Sequence, residues 1–288
     1  MFASPCGSDV DRNDSFTGNL MKIMIDGNQV NYELEGPASA PVVMLSHALA
    51  TNMSIWDPQI EVLARDFRVL RYDTLGHGAS DAPPGPYTLD QLANQAAGLL
   101  DSLKIARVHF VGLSMGGMIA QTLALAKPQL VASMVLCNAS SRIPPEAQAL
   151  WQERIRIAES EGMEPWIEPA VARWFTAPFR AAHPEVIERV RGMIRKTSAS
   201  GCAACCHAIA ALDLTDRLQA IQAPALVIVG EEDQGTPVAM SRTIHERIKG
   251  SEMVVLPSAS HLANVEQPQA FNRTVTTFLS HVVIGAKG

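Results

Sequence analysis

The chain has 288 residues, 47% apolar and 18% charged, which supplies enough apolar mass for a packed core and excludes a wholly disordered polymer. Lys and Arg number 23 against 29 Asp and Glu, leaving a formal charge of −6 and no basic block to meet phosphates, so nucleic acid is not an expected partner. No apolar run reaches the ~18 residues that cross a bilayer, so no membrane partner is expected either.

Residues 1–19 are polar and rich in Gly, Ser and Asp. They lack the basic start and apolar stretch of a signal peptide and read as a flexible tail. Met21–Ile25 and the alternating Asn31–Glu35 read as an antiparallel edge hairpin turning at Asp26-Gly27. Six further short runs follow, at Pro41–Ser46, Arg68–Tyr72, Val108–Gly112, Val131–Cys137, Ala225–Gly230 and Glu252–Leu256. Most are continuously apolar, as in strands covered on both faces. Between them lie helical stretches at Thr88–Lys104, Ser114–Lys127, Pro237–Lys249 and Pro268–His281. This alternation predicts an α/β fold: a mostly parallel twisted sheet with helices on both faces, and ligands bound at the carboxyl ends of the strands.

Eighteen residues separate Gly112 from Val131, an ordinary crossover, but 86 separate Asn138 from Ala225. A helical cap over residues 139–221 is therefore expected, inserted into a core of residues 20–138 and 222–288. It holds Trp151, Trp166 and Trp174, some forming its own core and some roofing a pocket. Trp151, Trp174 and His207 are the candidate substrate contacts. The five cysteines (Cys6, Cys137, Cys202, Cys205, Cys206) are few and odd in number, which fits a reducing cytoplasm. The cluster Cys202-Ala-Ala-Cys205-Cys206-His207 lacks a second ligand group at zinc spacing and reads as a buried helical face, so no metal is expected.

Gly112-Leu113-Ser114-Met115-Gly116-Gly117 is G-x-S-x-G between a strand and a helix. There a serine sits on a sharp turn, its hydroxyl exposed above the sheet beside a helix N-terminus. A serine at its own pKa needs an adjacent base. His261 lies in a loop just past the last strand, whereas His245 falls within a helix and His281 near the chain's end. The supporting acid should follow the preceding strand, where Gly230-Glu231-Glu232-Asp233-Gln234-Gly235 offers Asp233 first and Glu232 second.

With these residues in view, the sequence resembles the α/β-hydrolases, and among them the 3-oxoadipate enol-lactonases, from about Asn31 to Leu279. Trp56-Asp-Pro-Gln, Phe67–Asp73, Gly76–Asp81, Pro84–Thr88, Gly112–Gly117 and Arg173–Thr176 carry the resemblance. It implies a Ser114–Asp233–His261 triad and an oxyanion hole made by the Met115 N–H and an N–H of the loop Ser46-His47-Ala48-Leu49-Ala50. In that loop Leu49 occupies the donor position, and Ala48 and Ala50 replace small or glycine residues. It also implies that Asp73 and His77, in the D-x-x-G-x-G loop, pack beside the site without joining the triad.

The expected activity is hydrolysis of a small carboxylic ester or lactone through an acyl-enzyme, without cofactor, in the manner of aromatic-degradation enzymes. A cofactor-free perhydrolase, a C–C bond hydrolase and a non-catalytic ligand-binding homologue stay open, as does a homo-oligomer. One departure bears on the substrate. Enol-lactonases commonly carry an Arg-Asp pair late in the cap, and here Ala210-Ala211 stands in its place. If that arginine pairs with a substrate carboxylate, this chain prefers uncharged substrates, unless Arg142, Arg154 or Arg173 substitutes for it.

Overall fold

The computed structural model describes residues 21–285, and the expected tail at 1–19 lies outside the described residues. β1 (Met21–Ile25) and β2 (Asn28–Glu35) pair antiparallel across Asp26 and Gly27. Both turn residues have positive φ, 47° and 79°, as a two-residue hairpin turn requires. The remaining strands are β3 (Val42–Ser46), β4 (Arg68–Tyr72), β5 (Val108–Leu113), β6 (Val131–Cys137), β7 (Ala225–Gly230) and β8 (Glu252–Leu256). They form one eight-stranded sheet in the order β1-β2-β4-β3-β5-β6-β7-β8. β2 meets β4 antiparallel, and all pairs from β4 to β8 are parallel. β5 and β7 are buried at every residue, which is why their sequences show no alternation.

The helices are α1 (Asp57–Leu63), α2 (Leu89–Ser102), α3 (Met115–Ala126), α4 (Gln148–Glu161), α5 (Ile167–Trp174), α6 (Ala177–Ala182), α7 (Pro184–Lys196), α8 (Ala199–Ala210), α9 (Val238–Arg247), α10 (Ala263–Glu266) and α11 (Pro268–Gly285). α2 starts where the Thr88 hydroxyl accepts the Gln91 N–H, an N-cap bond that satisfies one free amide of the first turn. α1, absent from the sequence reading, is only seven residues long, too short for an apolar period to register. α1 packs with α11 and α2 with α3, covering the sheet on both faces.

Between β6 and β7 the chain makes α4 to α8, with α8 lying along α4. Cys202, Cys205 and Cys206 on α8 are fully buried free thiols. None of the described helices is long and apolar enough to cross a membrane. The carboxyl ends of β3, β5, β6, β7 and β8 converge, and the loops that follow them build the site.

Candidate active site

Ser114 sits between β5 and α3 with φ 53° and ψ −111°, a strained conformation for a residue with a side chain. The turn closes this tightly because of two glycines. A Cβ on Gly116 would run into the Ser46 backbone of β3, and one on Gly112 into the Gly116 backbone. The strain projects the hydroxyl from the sheet, and Ser114 Oγ lies 2.9 Å from His261 Nε2. On the far side of the ring, His261 Nδ1 lies 2.9 Å from Asp233 Oδ2.

Asp233 is buried and richly supplied with donors. Its Oδ1 accepts the N–H groups of Gly235 (2.7 Å) and Thr236 (3.0 Å). Its Oδ2 accepts Asn138 Nδ2 at 2.8 Å and lies 2.7 Å from Thr236 Oγ1. Burial alone would raise its pKa. The adjacent His261 and the hydrogen bonds from Asn138 and Thr236 outweigh burial and hold it down at about 2. The carboxylate is therefore ionised at neutral pH. Glu232, the second candidate for the acid, is exposed instead.

Both predicted oxyanion donors border this point. Met115 opens α3, so its N–H belongs to the first turn, which has no intrahelical acceptor. Leu49 lines the same cavity as Ser114 and His261, and its N–H meets no backbone carbonyl among the described residues. Ala50 takes φ 58°, the left-handed conformation for which glycine is the usual residue.

The cavity measures about 140 Å³ and is roofed by Trp151, Trp166 and Trp174. Trp174 stacks over His261. His207 is not part of it. Ile209 of α8 faces the cavity, and two residues along a helix is a turn of roughly 200°. His207 accordingly borders a separate groove with Pro84, Pro86 and Glu159, which corrects its assignment as a substrate contact.

Two arginines complete the wall. Arg154 rests with its guanidinium 4.5 Å from the Trp151 ring centre, and Arg173 precedes Trp174 at the end of α5. Burial, reinforced by the charge of Arg173, pushes the Arg154 pKa down to about 10. Burial also lowers that of Arg173, against the opposing pull of Asp233. Among the described residues neither guanidinium makes an ion pair. Arg142, by contrast, is spent on Asp213 (2.6 Å) and Asp216 (2.8 Å) at the surface. Ala210 does not line the cavity, and its carbonyl accepts Gln148 Nε2. Arg154 and Arg173, two of the three arginines offered as substitutes, thus border the cavity, whereas Ala210 does not.

Three supporting residues escaped the sequence reading. Asn138 and Thr236 bond to Asp233 and Glu266 bonds to the loop that carries His261, none of them touching Ser114. Glu266 accepts the Ser260 N–H with one carboxylate oxygen, and the Thr176 N–H and hydroxyl with the other. It thereby ties the His261 loop to the chain leaving α5. The positions of Asn138 and Thr236, just past β6 and β7, were the available signal.

Comparison with known proteins gives the family. The α/β hydrolase fold family matches residues 41–268. The chain is 42% identical to 3-oxoadipate enol-lactonase 2 of Acinetobacter baylyi, over 85% of this chain and 91% of that one. Among solved structures it is similar to the enol-lactonase from Burkholderia xenovorans, with 40% identity, a TM-score of 0.87, and coverage of 90% of this chain and 100% of that one. It is also similar to a hydrolase from Pseudomonas aeruginosa, with 41% identity, a TM-score of 0.88, and coverage of 91% and 99%. The chain belongs to the α/β-hydrolase fold family.

Proposed function

We propose that the protein is a serine hydrolase that opens a small lactone, or cleaves a small ester, carrying a free carboxylate, as a 3-oxoadipate enol-lactonase does. The observation that carries this reading is the hydrogen-bonded line from Ser114 through His261 to Asp233, which opens onto a cavity containing two arginines without counter-ions. An unpaired cation in a partly desolvated wall favours an anionic ligand, and charge-assisted hydrogen bonds are worth about 1.5–3 kcal/mol.

In this mechanism the substrate carboxylate meets Arg154 and Arg173, and the reacting carbonyl lies against Ser114. Ser114 Oγ attacks the carbonyl carbon and passes its proton to His261 Nε2. The Leu49 and Met115 N–H groups stabilise the oxyanion. Asp233 holds the ring with Nδ1 protonated and balances the imidazolium. As the acyl C–O bond breaks, His261 returns the proton to the leaving oxygen. In a lactone that oxygen stays tethered to the acyl chain. Water then adds to the acyl-enzyme, again giving a proton to His261, and Ser114 departs protonated.

The test is a panel of lactones and esters, each with and without a free carboxylate, assayed alongside labelling by a fluorophosphonate. Ser114→Ala and His261→Ala should each lose ~10⁴–10⁶ in rate, and the double variant should be little worse, because triad members act as a unit. Substantial turnover by Ser114→Ala would overturn the serine mechanism.

A further inference from the structure

Two buried histidines outside the triad link the loop after β3 to the loop after β4. His47 Nδ1 lies 2.8 Å from the Ala48 carbonyl and His77 Nδ1 lies 3.2 Å from the Leu75 carbonyl. A carbonyl only accepts, so both Nδ1 atoms carry the proton and both Nε2 atoms carry a lone pair. Each Nε2 takes an amide from the opposite loop. His47 accepts the Thr74 N–H at 3.0 Å, and His77 accepts the Ala50 N–H at 2.9 Å. The rings are 5.3 Å apart and almost wholly buried. Burial drives their pKa values down, to about 4 for His47 and about 3 for His77, so both stay neutral as this pattern demands.

What these bonds grip is the peptide that carries the expected oxyanion donor. The Ala48 carbonyl receives His47 Nδ1–H, the Thr51 N–H (3.2 Å) and the Thr51 hydroxyl (2.8 Å). In a trans peptide the C=O and the following N–H point in opposite directions. Holding the Ala48 oxygen inside the loop therefore turns the Leu49 N–H outward, toward the cavity that Leu49 shares with Ser114. On the other side of Leu49, Ala50 is kept at φ 58°, a conformation unfavourable for a residue with a Cβ, by the bond from its N–H to His77.

We propose that His47 and His77 are positioning residues for the oxyanion hole, acting through the peptides on either side of Leu49. This inference rests on the ester- or lactone-hydrolase reading above. His77→Leu removes the acceptor, and His77→Gln supplies another. The readouts are kcat, KM and the affinity for a trifluoromethyl ketone analogue, whose adduct with Ser114 places an oxyanion in the hole.

A complete loss of one donor costs about 10²–10³ in kcat. His77→Leu, which only releases a donor from its aim, should lose ~10–100-fold in kcat, with KM changed by less than about threefold. Affinity for the ketone should fall in parallel, and His77→Gln should regain most of the loss. A folded His77→Leu with unchanged kcat overturns the proposal, and so does equal loss in the Leu and Gln variants or a kcat loss with unaltered ketone affinity. Should His77→Leu fail to fold, nitrogen NMR of the histidine-labelled wild type decides. Unprotonated Nε2 at both residues supports the clasp, and a proton on either Nε2 overturns it. Ser114→Ala, run alongside, separates the two readings. Turnover there sinks the hydrolase mechanism, whereas an inactive Ser114→Ala beside a fully active His77→Leu sinks the clasp alone.

Discussion

Trp174 lies over His261, ring centres 6.4 Å apart and planes 25° from parallel, so a residue of α5 faces the imidazole that takes up a proton in the proposed mechanism. An aromatic face attracts a cation by about 0.5–1 kcal/mol at exposed sites when the cation lies within about 6 Å of its centre, and the separation here is just beyond that. Trp174→Leu should therefore lower kcat by no more than ~2-fold in addition to any change in KM. Steady-state kinetics check this, and an unchanged kcat would show that the ring only fills space.

Asp233→Asn should cost about 10⁴ in kcat by favouring the wrong imidazole tautomer. The structure adds a second penalty, because both carboxylate oxygens already accept and an amide nitrogen would face donors from Asn138 or from Gly235 and Thr236. A lower melting temperature should accompany the rate loss. Exposed Glu232→Gln should change neither. Kinetics and thermal denaturation of both variants give the answer, and the reverse pattern would move the acid to Glu232.

For the arginines the discriminating quantity is a ratio. Arg154→Met and Arg173→Met should each reduce kcat/KM for a carboxylate-bearing lactone by roughly 10–150-fold, the worth of one charge-assisted hydrogen bond. Their effect on a neutral lactone of similar size should be small. Equal losses on both substrates would mean that these side chains serve the cap and not the ligand.

The neutral histidines also set an acid limit to stability. The folded-state pKa values of His47 and His77, about 4 and about 3, lie below the unfolded value near 6.5. Below pH 6.5 the unfolded chain takes up protons that the folded one refuses, so their contribution is complete above that pH and declines as pH falls toward 4 and then 3. Asp233 acts in a separate, lower window, between its usual value and about 2. Glu35 and Glu266, raised chiefly by burial, oppose the histidines at mildly acidic pH. Comparison of melting temperatures from pH 7 to 4 should show a steeper fall in wild type than in His77→Gln. Parallel curves would contradict the assigned protonation states.

Ser114 and His261 were legible in the sequence because each is announced locally, one by flanking glycines at a strand-to-helix turn and the other by a loop after the last strand. The core strands were legible because burial on both faces leaves an unbroken apolar run, as in Ala225–Gly230. Contacts between distant segments were not. Glu266 reads as an ordinary residue near a helix start, yet its partners at Thr176 lie 90 positions away. As ligand contacts Arg154 and Arg173 were offered only as substitutes for a missing arginine, since helix periodicity does not reveal that both residues border one cavity. His207 failed for the same reason, because which side of α8 meets the core depends on neighbours that periodicity does not contain.

The ties between the end of α5 and the His261 loop also fasten one edge of the cavity. Glu266 holds Thr176, Ser260 Oγ donates to the Arg173 carbonyl at 2.8 Å, and the Leu262 N–H donates to the Trp174 carbonyl at 3.1 Å. Each such bond contributes on the order of 1 kcal/mol, and all would have to break together for the cap to rise on this side. That edge is fastened, whereas Leu150, half exposed at 51%, and Met240 give the cavity an apolar sill outside the arginines.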